Sequence, residues 1–264
     1  MGRYVAGIGE ALWDVLPAGR QLGGAPANFA YHAGQFLGME NVIALSALGQ
    51  DALADETEEA FGQRRLPIHM PRVAYPTGTV QVSLDAQGVP TYDIREGVAW
   101  DNIPFDARME EVARQCRAVC FGSLAQRHSV SRESIQRFLD ATPADCLRIF
   151  DINLRQHYYD RETIEASLRR ATILKINDEE LVIVARMFGM EGLDMQAHCQ
   201  QLRHDYGMDM VVLTCGTNGS YVFAEGESTF HETPRVSVAD TVGAGDSFAG
   251  SFCAAILGGM SVDE

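Results

Sequence analysis

Short apolar runs alternate with longer amphipathic stretches along most of this chain, and that rhythm constrains the fold more than any other feature. Residues 4–9, 41–48, 117–122, 147–152, 171–177 and 209–214 read as short strands rich in apolar residues. Segments 26–38, 52–64, 105–115, 131–140, 161–170, 178–189 and 194–206 carry helical spacing between them. Short buried strands separated by helices predict an α/β fold, with a mainly parallel sheet covered on both faces in three layers, α/β/α. One stretch departs from the rhythm. Residues 77–97 alternate apolar and polar about a Gly-containing turn at Asp85–Gly88, the pattern of an inserted β-hairpin. It reads as an edge hairpin of the main sheet or as a small lid sheet, with residues 10–20 adding a strand. No repeat or low-complexity linker divides the chain, so residues 1–264 read as a single domain.

Composition limits the partners. Twenty-one basic against thirty-six acidic residues leave a formal net charge of −15. Such a surface repels nucleic-acid backbones and anionic lipid, so neither is expected as a partner. A phosphate ligand must then be held locally, by backbone amides, a few basic groups or a metal. The six cysteines form no C-x-x-C pair and sit in mostly apolar surroundings, which predicts reduced core thiols rather than disulfides or a zinc site. The N-terminus runs directly into a strand-like YVAGIG, and no run approaches the ~18 apolar residues of a membrane helix. A soluble, cytoplasmic protein is expected.

Two familiar phosphate motifs are absent. Gly7-Ile8-Gly9 opens like a dinucleotide fingerprint, but Leu12 stands at the third glycine position. No G-x-x-x-x-G-K-[ST] occurs. The strongest signal is DTVGAGDSFAG at 240–250, where Gly243-Ala244-Gly245 precedes a helical pattern of Phe248, Phe252 and Ile256. A helix N-terminus leaves about four N–H groups unsatisfied, and small residues let an anion approach them. Asp246 beside such an anion reads as a plain first-turn acid or as a base for a hydroxyl attacking a phosphoryl group. Lys175, the only lysine, lies in the apolar strand ATILKIN, where its ammonium needs a partner, either a phosphate or a nearby acid. Arg155 offers a planar cation for substrate or transferred phosphate, or a surface ion pair. Asn218-Gly219 alone reads as a hairpin turn.

Four segments in order resemble the ribokinase-like (PfkB) carbohydrate kinases, most closely bacterial fructokinases: LGGAPANFAYHAGQFLG at 22–38, DINLRQHYYD at 151–160, ILKINDEEL at 173–181 and DTVGAGDSFAG. The resemblance implies a ribokinase-like α/β fold with a β-sheet lid, and transfer of the γ-phosphoryl group of ATP to a ketohexose, foremost D-fructose. It implies Asp246 as the base and the amides of Gly243, Ala244 and Gly245 as the anion hole. Asp14, Gly23, Gly24 and Asn28 match sugar-binding positions, chemically apt for a polyol; locally, Asp14 also reads as a turn residue before Pro17 and Asn28 as a cap. Asn177 and Glu180 match an N-x-x-E motif that helps place Mg2+ through water, where an acidic helix start is the local alternative. Thr214, Gly216 and Gly219 match a nucleotide-binding strand–turn; Lys175 and Asn177, neighbours at a strand's C-terminal end, are expected with them at the nucleotide phosphates. Asp240 matches a position for a monovalent cation such as K+. Val80, Val82 and Leu84 would form one apolar face of the lid, towards the sugar or a partner lid in a homodimer. Relatives continue beyond the point where this chain ends, eighteen positions after Asp246, with a segment that walls the adenine pocket. Other readings are a 2-keto-3-deoxygluconate or nucleoside kinase and a kinase-like sugar-binding protein without turnover; the GGAPAN form argues against the nucleoside-kinase and ribokinase patterns.

Overall fold

The computed structural model describes residues 3–16, 19–84, 90–190, 192–235 and 242–263, with the backbone only at 82–84, 90 and 91. The chain begins with β1 (Tyr4–Ile8), β2 (Leu12–Leu16), β3 (Gly19–Gly23), α1 (Ala25–Leu37) and β4 (Val42–Leu45). There follow α2 (Ala52–Gln63), β5 (Ile68–His69), β6 (Gly78–Leu84), β7 (Pro90–Ile94), α3 (Ala107–Arg114) and β8 (Cys116–Phe121). Next come α4 (Ser129–Asp140), β9 (Leu147–Asp151), α5 (Arg161–Leu168), β10 (Ile173–Asn177), α6 (Asp178–Phe188) and α7 (Met195–Tyr206). The last elements are β11 (Met210–Thr214), β12 (Ser220–Ala224), β13 (Glu227–His231) and α8 (Ala244–Leu257).

Among the described residues nine strands form the main sheet, in the order β13-β12-β11-β10-β9-β8-β1-β4-β5. From β11 through β5 every pairing is parallel, and β12 and β13 close one edge antiparallel. Its strand residues alternate between two cores, because successive side chains of a strand point to opposite faces. Val5, Ala118, Ile149, Ile173 and Val212 pack with α1, α2 and α8 residues such as Phe29, Phe61 and Cys253. Ala6, Val119, Phe150, Leu174 and Leu213 pack with α3–α7 residues such as Met109, Phe138, Ile164, Val184 and Leu202. The expected three layers follow from that division. All six cysteines are buried and unpaired, as core thiols.

The 77–97 stretch belongs to a separate four-stranded sheet, β3-β2-β6-β7, rather than to an edge of the main one. Its hairpin turn at Asp85–Gly88 lies outside the described residues, as do the side chains of Val82 and Leu84. Register places Val80 opposite Asp14, so both share one face of this small sheet. The sheet is tied down on both flanks. Trp13 Nε1 donates to Thr57 Oγ1 of α2 at 2.8 Å. On the other flank, Gln156 Nε2 and Tyr158 Oη donate to the carbonyls of Tyr92 and Ile94 of β7 at 2.6 and 3.1 Å.

The helices of the two outer signature segments, α1 and α8, lie against each other. A Cβ on Gly250 would stand 2.7 Å from Phe29 O and 2.9 Å from Ala33 N, so only glycine allows this approach. The buried face of α8 is Ala249, Gly250, Cys253 and Ala254. Phe248, Phe252 and Ile256 are half-buried, with Phe248 and Phe252 packed against the margin of the same core. Small residues win because they bring two backbones together.

Candidate active site

Strand β1 sits where the connections diverge, pairing with β4 on one side and β8 on the other. In open α/β sheets such a switch point opens a crevice at the carboxyl ends of the strands. The N-terminus of α8 lies there. Gly243 caps it in a left-handed conformation, φ 75°, and the first helical bond runs from Ser247 N–H to Gly243 O at 2.8 Å. The amides of Ala244, Gly245 and Asp246 therefore precede the helical ladder, on a turn whose Ala244 and Gly245 are exposed.

Asn28 brings the two signatures together. Its Nδ2 donates to Asp246 Oδ2 at 2.9 Å across 218 sequence positions. A Cβ on Gly243 would stand 3.7 Å from Asn28 Nδ2, in ordinary contact. Asn28 is thus no local cap: the N-cap of α1 is Gly24, with no side-chain cap bond. Gly24 has φ 118°, and a Cβ there would meet Glu10 O at 2.4 Å. Asp14 stands over the neighbouring turn, since a Cβ on Gly23 would lie 2.8 Å from Asp14 Oδ2. Burial raises the pKa of the Asp14 carboxyl, with Arg155 opposing. Burial likewise lowers His32 on α1, against the pull of Asp246.

Lys175 has an acid as its partner. Its Nζ donates to both Asp151 oxygens at 2.9 Å, because register aligns Lys175 of β10 with Asp151 of β9. Burial works against the ammonium, but Asp151 outweighs it and holds Lys175 above the ordinary lysine range. The pair also underlies the helix terminus, for a Cβ on Gly245 would stand 3.3 Å from Lys175 Nζ. Asn177 and Glu180 form a capping box at the start of α6: Asn177 Oδ1 accepts from Glu180 N and Glu180 Oε2 from Asn177 N. Glu180 Oε1 accepts from Leu154 N at 2.9 Å. Burial raises this carboxyl despite the two amides.

Arg155 lies on the loop after β9, exposed, with Nη1 donating to Leu154 O at 3.2 Å. Asn153 and Gln156 on either side of it adopt φ of 45° and 50°, a left-handed conformation costing side-chain-bearing residues roughly 1–2 kcal/mol. This strained loop is the one that Gln156 and Tyr158 fasten to β7. Thr214 ends β11, Gly216 opens the following turn, and Gly219 closes it just before β12, its carbonyl accepting from Cys215 N at 2.8 Å. A Cβ on Gly219 would meet His231 O at 2.4 Å. Asp240 lies outside the described residues. Among the described residues no group of three His, Cys, Asp or Glu side chains is arranged to hold a metal, and no helix is long and apolar enough to cross a membrane. Sequence reasoning missed Glu10 and did not identify Asp151 as the partner of Lys175. An acid directly after the first strand marks the former; the latter required the β9–β10 register.

A family model of the pfkB carbohydrate kinases matches residues 17–264. The chain is 26% identical over 271 residues to a fructokinase of Rhizobium leguminosarum bv. trifolii, covering 97% of this chain and 79% of that one. It is 28% identical over 228 residues to a ribokinase of Arabidopsis thaliana, covering 82% of this chain and 57% of that protein. The solved structure of a fructokinase with bound ATP from Xylella fastidiosa superposes with a TM-score of 0.82 at 22% identity, over 97% of this chain and 82% of that one, a likeness of fold. With its two signature helices packed together and Asn28 joined to Asp246 at the mouth of the crevice, this chain belongs to the pfkB family of carbohydrate kinases.

Proposed function

We propose that the protein phosphorylates a hydroxyl of a neutral ketohexose, D-fructose foremost, with ATP as donor. The observation that carries this reading is the Asn28–Asp246 contact. It sets the 22–38 signature segment, whose residue types suit a polyol, beside a carboxylate at an open helix terminus. The Rhizobium relative is named a fructokinase, and the Xylella structure holds ATP.

In this reading the Asp246 carboxylate takes the proton from the attacking hydroxyl. The hydroxyl oxygen forms its bond to the γ-phosphorus, the bond to the bridging oxygen breaks, and ADP departs with that electron pair. The Ala244 and Gly245 amides answer the charge on the transferred group. Asn28 keeps Asp246 aimed, and Asp14, able to accept from two hydroxyls, orients the sugar. The small sheet covers the sugar and excludes water. Thr214, Gly216 and Gly219 serve the nucleotide, at the carboxyl end of β11. The donor set fits a hydrated Mg2+: each Glu180 oxygen accepts one amide, which leaves lone pairs for the ion's waters. When bound, such an ion neutralises phosphate charge. Its loss of charge at position 180 gives a direct check: Glu180→Gln raises the magnesium concentration for half-maximal rate several-fold, with sugar affinity without nucleotide unchanged. An unchanged magnesium dependence leaves Glu180 as a cap alone.

Substrate choice is tested by coupled ADP release with D-fructose, ribose, adenosine and 2-keto-3-deoxygluconate. Fructose should show the highest kcat/KM, because among the described residues Arg155 is the one evident counter-charge for a sugar acid. Asp14→Ala should lower kcat/KM for fructose about 10–100-fold, the worth of one or two hydrogen bonds to a charged group, while ATP binding changes little. A profile headed by ribose, a nucleoside or a sugar acid overturns the fructose assignment, and no ADP release with any sugar overturns the kinase reading.

A further inference from the structure

One buried carboxyl beside this site has no part in the transfer as described. Glu10 follows β1 at its C-terminal end and is 4% exposed. Its Oε1 accepts from Ala25 N at 3.3 Å, whereas Oε2 is buried with no hydrogen-bond partner among the described residues. Leaving a buried polar atom unpaired costs about 1–3 kcal/mol, so a side chain kept there needs a compensating role. Its surroundings supply one. Helix α1 begins at Ala25 with no side-chain cap and no acid in its first turn, and Pro26 has no N–H to offer. Glu10 caps that helix from another element. Its carbonyl also bounds the space at Gly24, so backbone and side chain of Glu10 together hold the turn from which α1 starts. One turn along, Asn28 N bonds to Gly24 O at 3.0 Å, and the Asn28 side chain holds Asp246.

We infer that Glu10 is a positioning residue for the phosphoryl transfer, capping α1 from the end of β1 and thereby fixing where Asn28 holds Asp246. This rests on Asp246 being the base. The charge of Glu10 acts on the same carboxylate. Burial pushes Glu10 up to about 7 against its own backbone amide; Asp246 adds to the rise, and the Ala25 amide and Arg155 oppose it. The charged groups facing it are thus Asp246 from α8 and Arg155 from the loop after β9. Below neutrality the carboxyl is uncharged. Above it, the Glu10 anion adds negative charge beside the point where the sugar's proton arrives, which favours its transfer, so the rate climbs with pH.

The test uses the full chain with Glu10→Gln and Glu10→Ala, measuring kcat and KM from pH 5.5 to 8.5, nucleotide binding and thermal melting. In the wild type, kcat should rise about three- to tenfold through the neutral range, the effect expected of one nearby charge on a general base. Glu10→Gln keeps a cap oxygen, so it should melt and bind nucleotide as the wild type does yet stay at the low-pH rate throughout. Glu10→Ala should lower kcat about tenfold or more through loss of the cap, with KM for the sugar less affected. A Gln variant that retains the neutral rise, or an Ala variant within twofold of wild-type kcat, overturns the inference. Failure of the base reading is separate: it shows as turnover surviving Asp246→Asn, whatever the Glu10 variants do.

Discussion

Asp246→Asn should lower turnover by ~10²–10⁴-fold, the usual contribution of a positioned general base. The substitution is nearly isosteric, and Asp246 Oδ2 accepts from Asn28 Nδ2 at 2.9 Å, a bond that the amide oxygen can still accept. The helix terminus, built from Gly243-Ala244-Gly245, does not depend on the side chain at 246. Folding and ATP binding should therefore persist while the proton has nowhere to go. Steady-state ADP release and nucleotide titration on the same sample check both halves. Near-normal turnover would reduce Asp246 to a first-turn acid and end the proposed chemistry.

Lys175→Met should be the most destabilising single change at the site. It leaves the Asp151 carboxylate unpaired in a place where both side chains are about nine-tenths buried. Breaking a buried pair by removing one partner costs roughly 3–5 kcal/mol, since the remaining charge has lost its compensation. Adding Asp151→Asn removes that charge, so the double variant should regain much of the lost stability in urea unfolding. Its turnover should remain low, because the ammonium 3.3 Å from the Cβ position of Gly245 is no longer present to support the helix-terminus amides. A double variant with wild-type kcat would make Lys175–Asp151 a purely structural pair. A single variant as stable as the wild type would contradict the burial argument itself.

The sequence alone carried the layer architecture and the place of the Gly243-Ala244-Gly245 turn at the start of α8. Both rest on short-range signals: strand and helix periods, and Gly243-Ala244-Gly245 before a helix. It also marked Asp246, Asn28 and Lys175 as chemically notable, but each with two readings. The partners of Asn28 and Lys175 came from contacts between distant segments, while the role of Asp246 rests on the turnover test. Asn28 became a partner of Asp246 because Gly250 lets α1 and α8 touch backbone to backbone. Lys175 became an ion pair because β10 aligns it with Asp151. Glu180 became a cap that also holds Leu154 of the Arg155 loop, and Glu10 became a cap for a helix that starts fifteen positions later. Periodicity fixes which face of an element is buried, whereas pairing of polar groups depends on strand register and helix contact between segments far apart in the chain. Those distances are set when the layers close, and no local pattern encodes them.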